Sequence, residues 1–412
     1  MGSAASLLVL VAVLVMVAWG RVPDLLVAGV GAALVVVTGL VDLDEVGDTL
    51  DRLAPTLAFL AAVFVLAEVA RDAGLFRAAG AWMGERGRTS RQLVVAVSAV
   101  AVLVTVFMSL DATAVLFTPV VVALVAQRGA RPDAPLLATT QLANASSSFL
   151  PVSNLTNLIV FSATGLTFGG FALRMALPTF AASSVVVVTA LRSDGRVRIL
   201  SSRPTAREPV TLDGFARFVV GAIATLTIAF FVGSAFGVAP AWIALGGAVV
   251  VAAAALARGR ATPSTLLRAA APGFLVFVVA LAVVVQAAVD HGLGDVARDV
   301  LPTGDGLVAL LGMAALAALL ANLLNNVPAT LVLASVVPTG STALLLAMLL
   351  GVNVGPNLTY TGSLATLLWR RVVRAAGVEP SRGAFFRFAL FATPLALVLS
   401  TLSLWLTLQV TG

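Results

Sequence analysis

The sequence contains no cysteine and no lysine, a single histidine and a single tyrosine, and only 11% of its residues are charged. Without cysteine, disulfides, thiolate metal sites and thiol capture of a soft ion are all excluded. Without lysine, all 25 basic residues are arginine. They lie in loops between apolar segments, so the formal charge of +6 reports membrane orientation and not a nucleic-acid partner. The scarcity of charge goes with 60% hydrophobic residues and a mean hydropathy of +1.07, far outside the range of soluble globular domains. Runs such as 6–19, 25–41, 215–232 and 240–257 approach the roughly 20 residues that cross a hydrocarbon core. No soluble domain fits between them. The chain reads as an all-α polytopic protein of the plasma (inner) membrane, embedded in the lipid bilayer. Its first apolar segment lacks a basic leader and an obvious cleavage site, so it is expected to be a retained span.

Two polar stretches interrupt the apolar pattern: 146–157 (SSSFLPVSNLTN) and 355–366 (GPNLTYTGSLAT). Each combines helix breakers (Pro151; Gly355, Pro356, Gly362) with hydroxyl and amide side chains, and each has apolar flanks long enough to reach both bilayer faces. Irregular backbone at membrane depth survives only where it is shielded from lipid, so each stretch is expected to be an interrupted transmembrane helix facing a binding cavity. The alternative for either one alone is a proline kink whose polar groups are met by neighbouring helices. Two copies at matching places favour the cavity.

Taken in order, the first half holds spans near 6–19, 25–41 and 54–70, a hairpin over 92–127, the first interrupted helix over 135–165 and a span at 171–191. The second half repeats this with 212–232, 240–257 and 271–289, a hairpin over 306–337, the second interrupted helix over 341–368 and a last span at 385–409. An acidic loop (Asp42, Asp44, Glu45, Asp48, Asp51) precedes the third span and an arginine-rich one (Arg71, Arg77, Arg86, Arg88, Arg91) follows it, which places the former outside and the latter in the cytoplasm. A linker, 192–211, carries Arg192, Arg196, Arg198, Arg203 and Arg207. On this threading every arginine except Arg52, Arg174 and Arg298 is cytoplasmic, and both termini face outward.

The halves also match in residues. Ala54-Pro55 answers Ala271-Pro272, Asp111 answers Asn326, and Asn154-Leu155-Thr156 answers Ser363-Leu364-Ala365. Because Ala54 opens a span from outside and Ala271 opens one from inside, the expected repeats, 1–191 and 212–412, have inverted topology. Each has five spans, one of them interrupted, and a re-entrant hairpin. That is the architecture of secondary transporters.

Among ionisable residues, Asp111 is the one expected near the bilayer centre, where buried charge is costly and functional by default. It can take a proton, a cation or a solute hydroxyl, and Asp-Ala-Thr-Ala is also a good helix start, so Asp111 is expected to cap the hairpin's second arm. Glu68, three residues before Arg71, is expected to form an interfacial ion pair. The other polar groups at the breaks and tips are neutral, which suits a small hydroxylated solute or a cation held by carbonyls and amides. No central Arg or Lys awaits a dianion. No phosphate-binding loop and no nucleophile–base constellation is present, so an enzymatic role is disfavoured, and no cofactor motif is found. Paired repeats with hairpins favour alternating access over a channel.

The segments LDATAVLFTPVVVAL (110–124), LPVSNLTNLIVFSATGLTF (150–168), ANLLNNVPATL (321–331) and GPNLTYTGSLATLLW (355–369) resemble the signature segments of the arsenite and antimonite efflux permeases of the ion-transporter superfamily. The resemblance covers essentially the whole chain. It implies export of arsenite or antimonite in exchange for protons by an elevator-type movement, with a separate ATPase subunit as a possible partner. It also implies a first site on Asp111, Thr113, Ser153, Asn154 and Asn157 and a second on Asn325, Asn326, Gly362 and Ser363, to which the polar inventory at the breaks adds Thr156 and Thr366. One departure stands out: where the family usually carries Asn before the tip aspartate, this chain has Leu110. The alternative within the superfamily is a sodium-coupled carboxylate or other anion transporter.

Overall fold

The computed structural model describes residues 2–19, 21–194, 212–338 and 340–411, and these are helical almost throughout. The linker arginines Arg196, Arg198, Arg203 and Arg207 lie outside the described residues. In chain order the helices of the first half are α1 (Gly2–Trp19), α2 (Asp24–Val37), α3 (Leu43–Asp72), α4 (Leu75–Arg86), α5 (Ser90–Phe107), α6 (Leu110–Ala112), α7 (Thr118–Arg128), α8 (Asp133–Ala145), α9 (Leu155–Thr164) and α10 (Phe168–Ser193). Those of the second half are α11 (Gly214–Ala235), α12 (Pro240–Ala257), α13 (Pro263–Ala269), α14 (Pro272–Ala288), α15 (Gly294–Val300), α16 (Leu307–Leu324), α17 (Asn326–Val336), α18 (Thr342–Val354), α19 (Leu364–Ala375) and α20 (Arg382–Thr411).

Nine helices among the described residues are long and apolar enough to cross a membrane, while Asp24–Val37, Leu155–Thr164 and Asn326–Val336 are apolar but shorter. Both segments expected as arms of the first hairpin, Ser90–Phe107 and Leu110–Arg128, are among the nine. At 1.5 Å per residue each arm reaches about 27 Å, close to the full hydrocarbon thickness. In the second hairpin only the first arm is that long.

Three features depart from the sequence reading. The acidic segment before the third span is helical: Asp42 accepts from Glu45 N while Glu45 reaches back to Asp42 N, a capping box that starts α3 eleven residues before Ala54. The arginine-rich loop after it holds the short helix α4, begun at Gly74 in the left-handed region (φ 85°) and followed by a capping box of Thr89 and Gln92 that starts α5. The cap of the first hairpin's second arm belongs to Ser109, whose hydroxyl accepts from Ala112 N at 3.0 Å. Asp111 therefore sits in the first turn of α6 and does not cap it.

Helix packing comes in matched pairs. α2 packs on α14 and α12 on α3; α5 packs on α8 and α16 on α18; α9 meets α17, and α19 meets the first hairpin's second arm; α10 and α20 share the most extensive contact. The α16–α18 contact is close because Gly351 and Gly355, four residues apart, face Ala314, Ala317 and Ala318. A Cβ on either glycine would overlap those residues. Small residues on one helical stripe are how membrane helices approach closely.

Contacts between loops sort into two ends of the molecule. At one end Arg260 pairs with Asp213 at 2.6 Å, Glu68 with Arg71 at 2.5 Å, and Glu379 with Arg370 and Arg374 at 2.6 and 2.5 Å. Burial alone would raise the Glu379 carboxyl, but the two guanidinium hydrogen bonds outweigh it and hold the group below the usual carboxylate range. At the other end Arg52 reaches Gln286, Phe168 N donates to Ser234 Oγ at 2.7 Å, and Arg174 donates to Thr411 O at 2.9 Å. The ion pair expected of Glu68 is present.

Candidate functional site

The first interrupted helix loses its α-helical ladder after Ala145, passes through short 3₁₀ turns at Ser146–Ser148 and Pro151–Ser153, and resumes at Leu155. The second does the same after Val354, with a turn at Gly355–Leu358 and resumption at Leu364. Asn154 and Ser363 occupy the same position in each, as N-caps accepting from Thr156 N and Thr366 N. A broken helix leaves donors and acceptors that must be met inside the protein, because lipid offers none.

They are met where the two breaks cross. Asn353, on the last turn of α18, holds the first break with both ends of its amide. Its Nδ2 donates to Ser148 Oγ (3.1 Å) and Asn157 Oδ1 (2.8 Å), and its Oδ1 accepts from Asn154 Nδ2 (3.0 Å) and Thr156 Oγ1 (2.7 Å). Asn144, on the last turn of α8, reaches the second break in the same manner. Its Nδ2 donates to Asn357 Oδ1 (2.9 Å) and Thr366 Oγ1 (3.1 Å). Asn144 to Asn353, Ser148 to Asn357 and Asn157 to Thr366 are each a step of 209 residues, so the two sets of donor bonds are images of one another. Gln141 completes the cluster: its Nε2 donates to Asn357 O and its main-chain oxygen accepts from Asn357 Nδ2, both at 3.0 Å.

The expected site residues therefore fall into three groups. Asn154, Thr156, Asn157, Ser363 and Thr366 are brought together in this crossing, buried and hydrogen-bonded. Asp111 and Thr113 lie at the first hairpin tip. There Thr113 Oγ1 is 2.7 Å from Thr105 Oγ1, and Ser153 Oγ donates to Val106 O at 2.8 Å, tying break to hairpin. Asp111 is half-buried and takes no hydrogen bond or ion pair among the described residues. Asn325 and Asn326 form the second tip. Asn325 has φ 84° and ψ 156°, a conformation few side chains adopt, and the buried Asn326 Oδ1 has no partner among the described residues. This tip is fastened to its break by Asn322, whose Nδ2 donates to Gly355 O and whose Oδ1 accepts from Thr359 Oγ1, both at 2.8 Å. Gly362 sits in the same clasp. A Cβ there would lie 2.6 Å from Pro356 Cα and 2.9 Å from Asn322 Oδ1.

Gln141, Asn144, Asn322 and Asn353 were not among the expected site residues. Each sits inside a helix, before the polar stretch that its helix leads into. The signal that finds two of them is the 209-residue step applied outward from the breaks.

Between the first tip and helices α3 and α11 lies a cavity of about 30 Å³ lined by Val63, Leu66, Met108, Leu150, Val152 and Phe230, with almost no polar surface. Among the described residues no group of histidine, cysteine or acidic side chains is placed to hold a metal ion.

Helices of membrane-crossing length around paired helix breaks that cross-link through buried amides define a multi-pass membrane transporter. The chain belongs to the citrate transporter (CitMHS) family, whose sequence pattern matches residues 14–352. The arsenical pump membrane protein of Escherichia coli strain K12 is 29% identical over 93% of this chain and 94% of its own. The silicon efflux transporter LSI3 of Oryza sativa subsp. japonica is 30% identical over a shorter stretch, 35% of this chain and 29% of its own. Among solved structures, the YdaH transporter of Alcanivorax borkumensis, described as having an unusual topology, superposes with a TM-score of 0.62 over 90% of each chain at 17% identity.

Proposed function

We propose that this protein is a secondary active exporter of arsenite and antimonite, exchanged for protons by an elevator-type movement. The observation that carries the reading is the set of unmet acceptors on α8 and at the tips. Among the described residues Gln141 Oε1, Asn144 Oδ1 and Asn326 Oδ1 are buried acceptors without donors and Asp111 adds a carboxylate without a partner, while the unpaired donors nearby are Tyr360 OH in the second break and Trp369 Nε1 on α19. A citrate-like anion presents acceptors of its own and needs donors or guanidinium groups to receive it. Arg370 of α19 lies against the second break, its guanidinium 3.8 Å from the Tyr360 ring centroid, but it is paired with Glu379 at 2.6 Å and not free to receive an anion. Arsenite and antimonite near neutral pH are uncharged hydroxides whose O–H groups donate, and silicon in water is likewise a neutral hydroxide. The names of the bacterial and plant relatives fit the same solute chemistry.

The matched contacts support two inverted repeats, 1–191 and 212–412, joined by the linker 192–211. The apolar lining between the first tip and α3 and α11 suits one body sliding against another, since it holds no polar bond that would have to break. Asp111 is the group assigned to proton loading. A separate ATPase subunit is compatible with this scheme and not required by it. The family description favours one second reading, sodium-coupled carboxylate transport. Everted vesicles separate the two: the proposal expects arsenite and antimonite accumulation driven by an imposed proton gradient without sodium, and no citrate uptake. Citrate uptake that requires sodium would replace it.

A further inference from the structure

The two crossing amides make the same donor bonds, yet their oxygens differ. Asn353 Oδ1 receives Asn154 Nδ2 at 3.0 Å and Thr156 Oγ1 at 2.7 Å. A step of 209 residues carries Asn154 to Ser363 and Thr156 to Ala365. Alanine has no donor, and the Ser363 hydroxyl is engaged with Thr366, 2.9 Å from its Oγ1. Among the described residues Asn144 Oδ1 is left with no partner although the residue is only 1% exposed. The same step carries Gln141 to Leu350, so the first half adds a second amide where the second half is apolar. Gln141 Oε1 is also without a partner, again on a residue 1% exposed. Gln141 and Asn144 are three residues apart on α8 and share one helical face. Both substitutions, Ser for Asn and Ala for Thr, also remove side-chain volume beside them.

A buried carbonyl oxygen without a donor is costly, and in native proteins such a group marks a missing ligand or water. The first hairpin covers this place, since the segment that follows Asp111 packs on both α8 and α19. We infer that, of the two related half-sites, the one built on Gln141 and Asn144 beneath the first hairpin takes the solute, a small molecule that donates hydrogen bonds through hydroxyl groups. The other is filled by the protein's own Asn154 and Thr156. This rests on the hydroxide-exporter reading for the nature of the solute, but not for which half-site is open. The solute's O–H groups take the place of the donors that Asn353 receives from within the chain. Asp111, on α6, which packs on α8, is then the tip acceptor on this side.

Two variants test this by copying one half onto the other. Gln141→Leu reproduces Leu350, and the double variant Ser363→Asn with Ala365→Thr restores the missing donors. Purified full-length protein is titrated with sodium arsenite, with potassium antimonyl tartrate as a source of antimonite (tartrate alone as its control) and with citrate while thermal unfolding is followed. The parent is expected to be stabilised by the two hydroxides, and each variant that elutes as folded protein to bind them at least tenfold more weakly. Binding by either folded variant at the parent's affinity overturns the half-site assignment. If citrate and not the hydroxides stabilises the parent, the exporter reading fails. The half-site assignment then stands if the variants lose the citrate effect and falls if they keep it. A parent stabilised by none of the three overturns both.

Discussion

Replacing Asn353 with Leu, of similar volume, removes four hydrogen bonds at once: those to Ser148 and Asn157 and those from Asn154 and Thr156. Interhelical hydrogen bonds in membrane proteins average about 0.6 kcal/mol, so the bonds alone account for about 2.4 kcal/mol. The deletion also strands buried groups, since Thr156 and Asn157 are wholly buried, and each unmet group adds about 1–3 kcal/mol before relaxation. A loss of about 3–5 kcal/mol is expected, a large part of the roughly 5–15 kcal/mol that holds a fold together. Asn144→Leu is the informative partner. It removes two donor bonds, about 1.2 kcal/mol by the same measure; the buried Asn357 Oδ1 it strands is offset by the donorless oxygen it removes, so the expected loss is about 1 kcal/mol. Reversible unfolding in mixed micelles, followed by tryptophan fluorescence, gives the two losses side by side. Equal losses, or a larger one for Asn144→Leu, would refute the assignment of Asn353 as the saturated amide and Asn144 as the unsaturated one.

Asp111→Asn keeps shape and removes the titrating group; it is expected to bind arsenite but lose accumulation driven by a proton gradient in vesicles, and accumulation like the parent's would move the proton elsewhere. Asn325→Gly relieves a backbone conformation that costs a non-glycine residue about 1–3 kcal/mol; the variant should unfold at a higher temperature than the parent, and a lower one would show that the side chain holds the tip. Cysteines placed singly at Asp44 and Ser264 in this cysteine-free chain should react with an impermeant maleimide from opposite sides of the membrane. Labelling of both from one side would discard the orientation.

Much of this was legible in the residues because membrane depth magnifies small departures from apolarity. Pro151, Pro356 and Gly362 marked the breaks, since nothing else in an apolar run forces the backbone to stop. Span ends were less clear where polar sequence continues a helix, as at Asp42, whose capping box begins α3 well outside the apolar run. The hairpin cap was misplaced because Ser109 and Asp111 are both competent caps two residues apart, and only the backbone shows that the chain turns at Ser109. Gln141, Asn144, Asn322 and Asn353 were missed for another reason. An amide inside a helix carries no local mark of what it faces, and its meaning appears only when the partner break, some 200 residues away, is set against it. Asn154, Thr156 and Asn157 were expected to face a solute; their side chains are engaged with Asn353 and with main-chain oxygens of their own break. Gln141 and Asn144, whose amide oxygens are unmet, stand on α8 within the turn or so before the break and not in it.

The most direct measurement is proton movement driven by the solute itself. Proteoliposomes of the purified protein, free of sodium and holding a pH-sensitive dye, are exposed to an arsenite gradient with no other driving force. The account predicts proton flux opposite in direction to arsenite, abolished by Asp111→Asn and absent with citrate. Arsenite movement without proton flux, or flux that appears only with citrate and sodium, would contradict it.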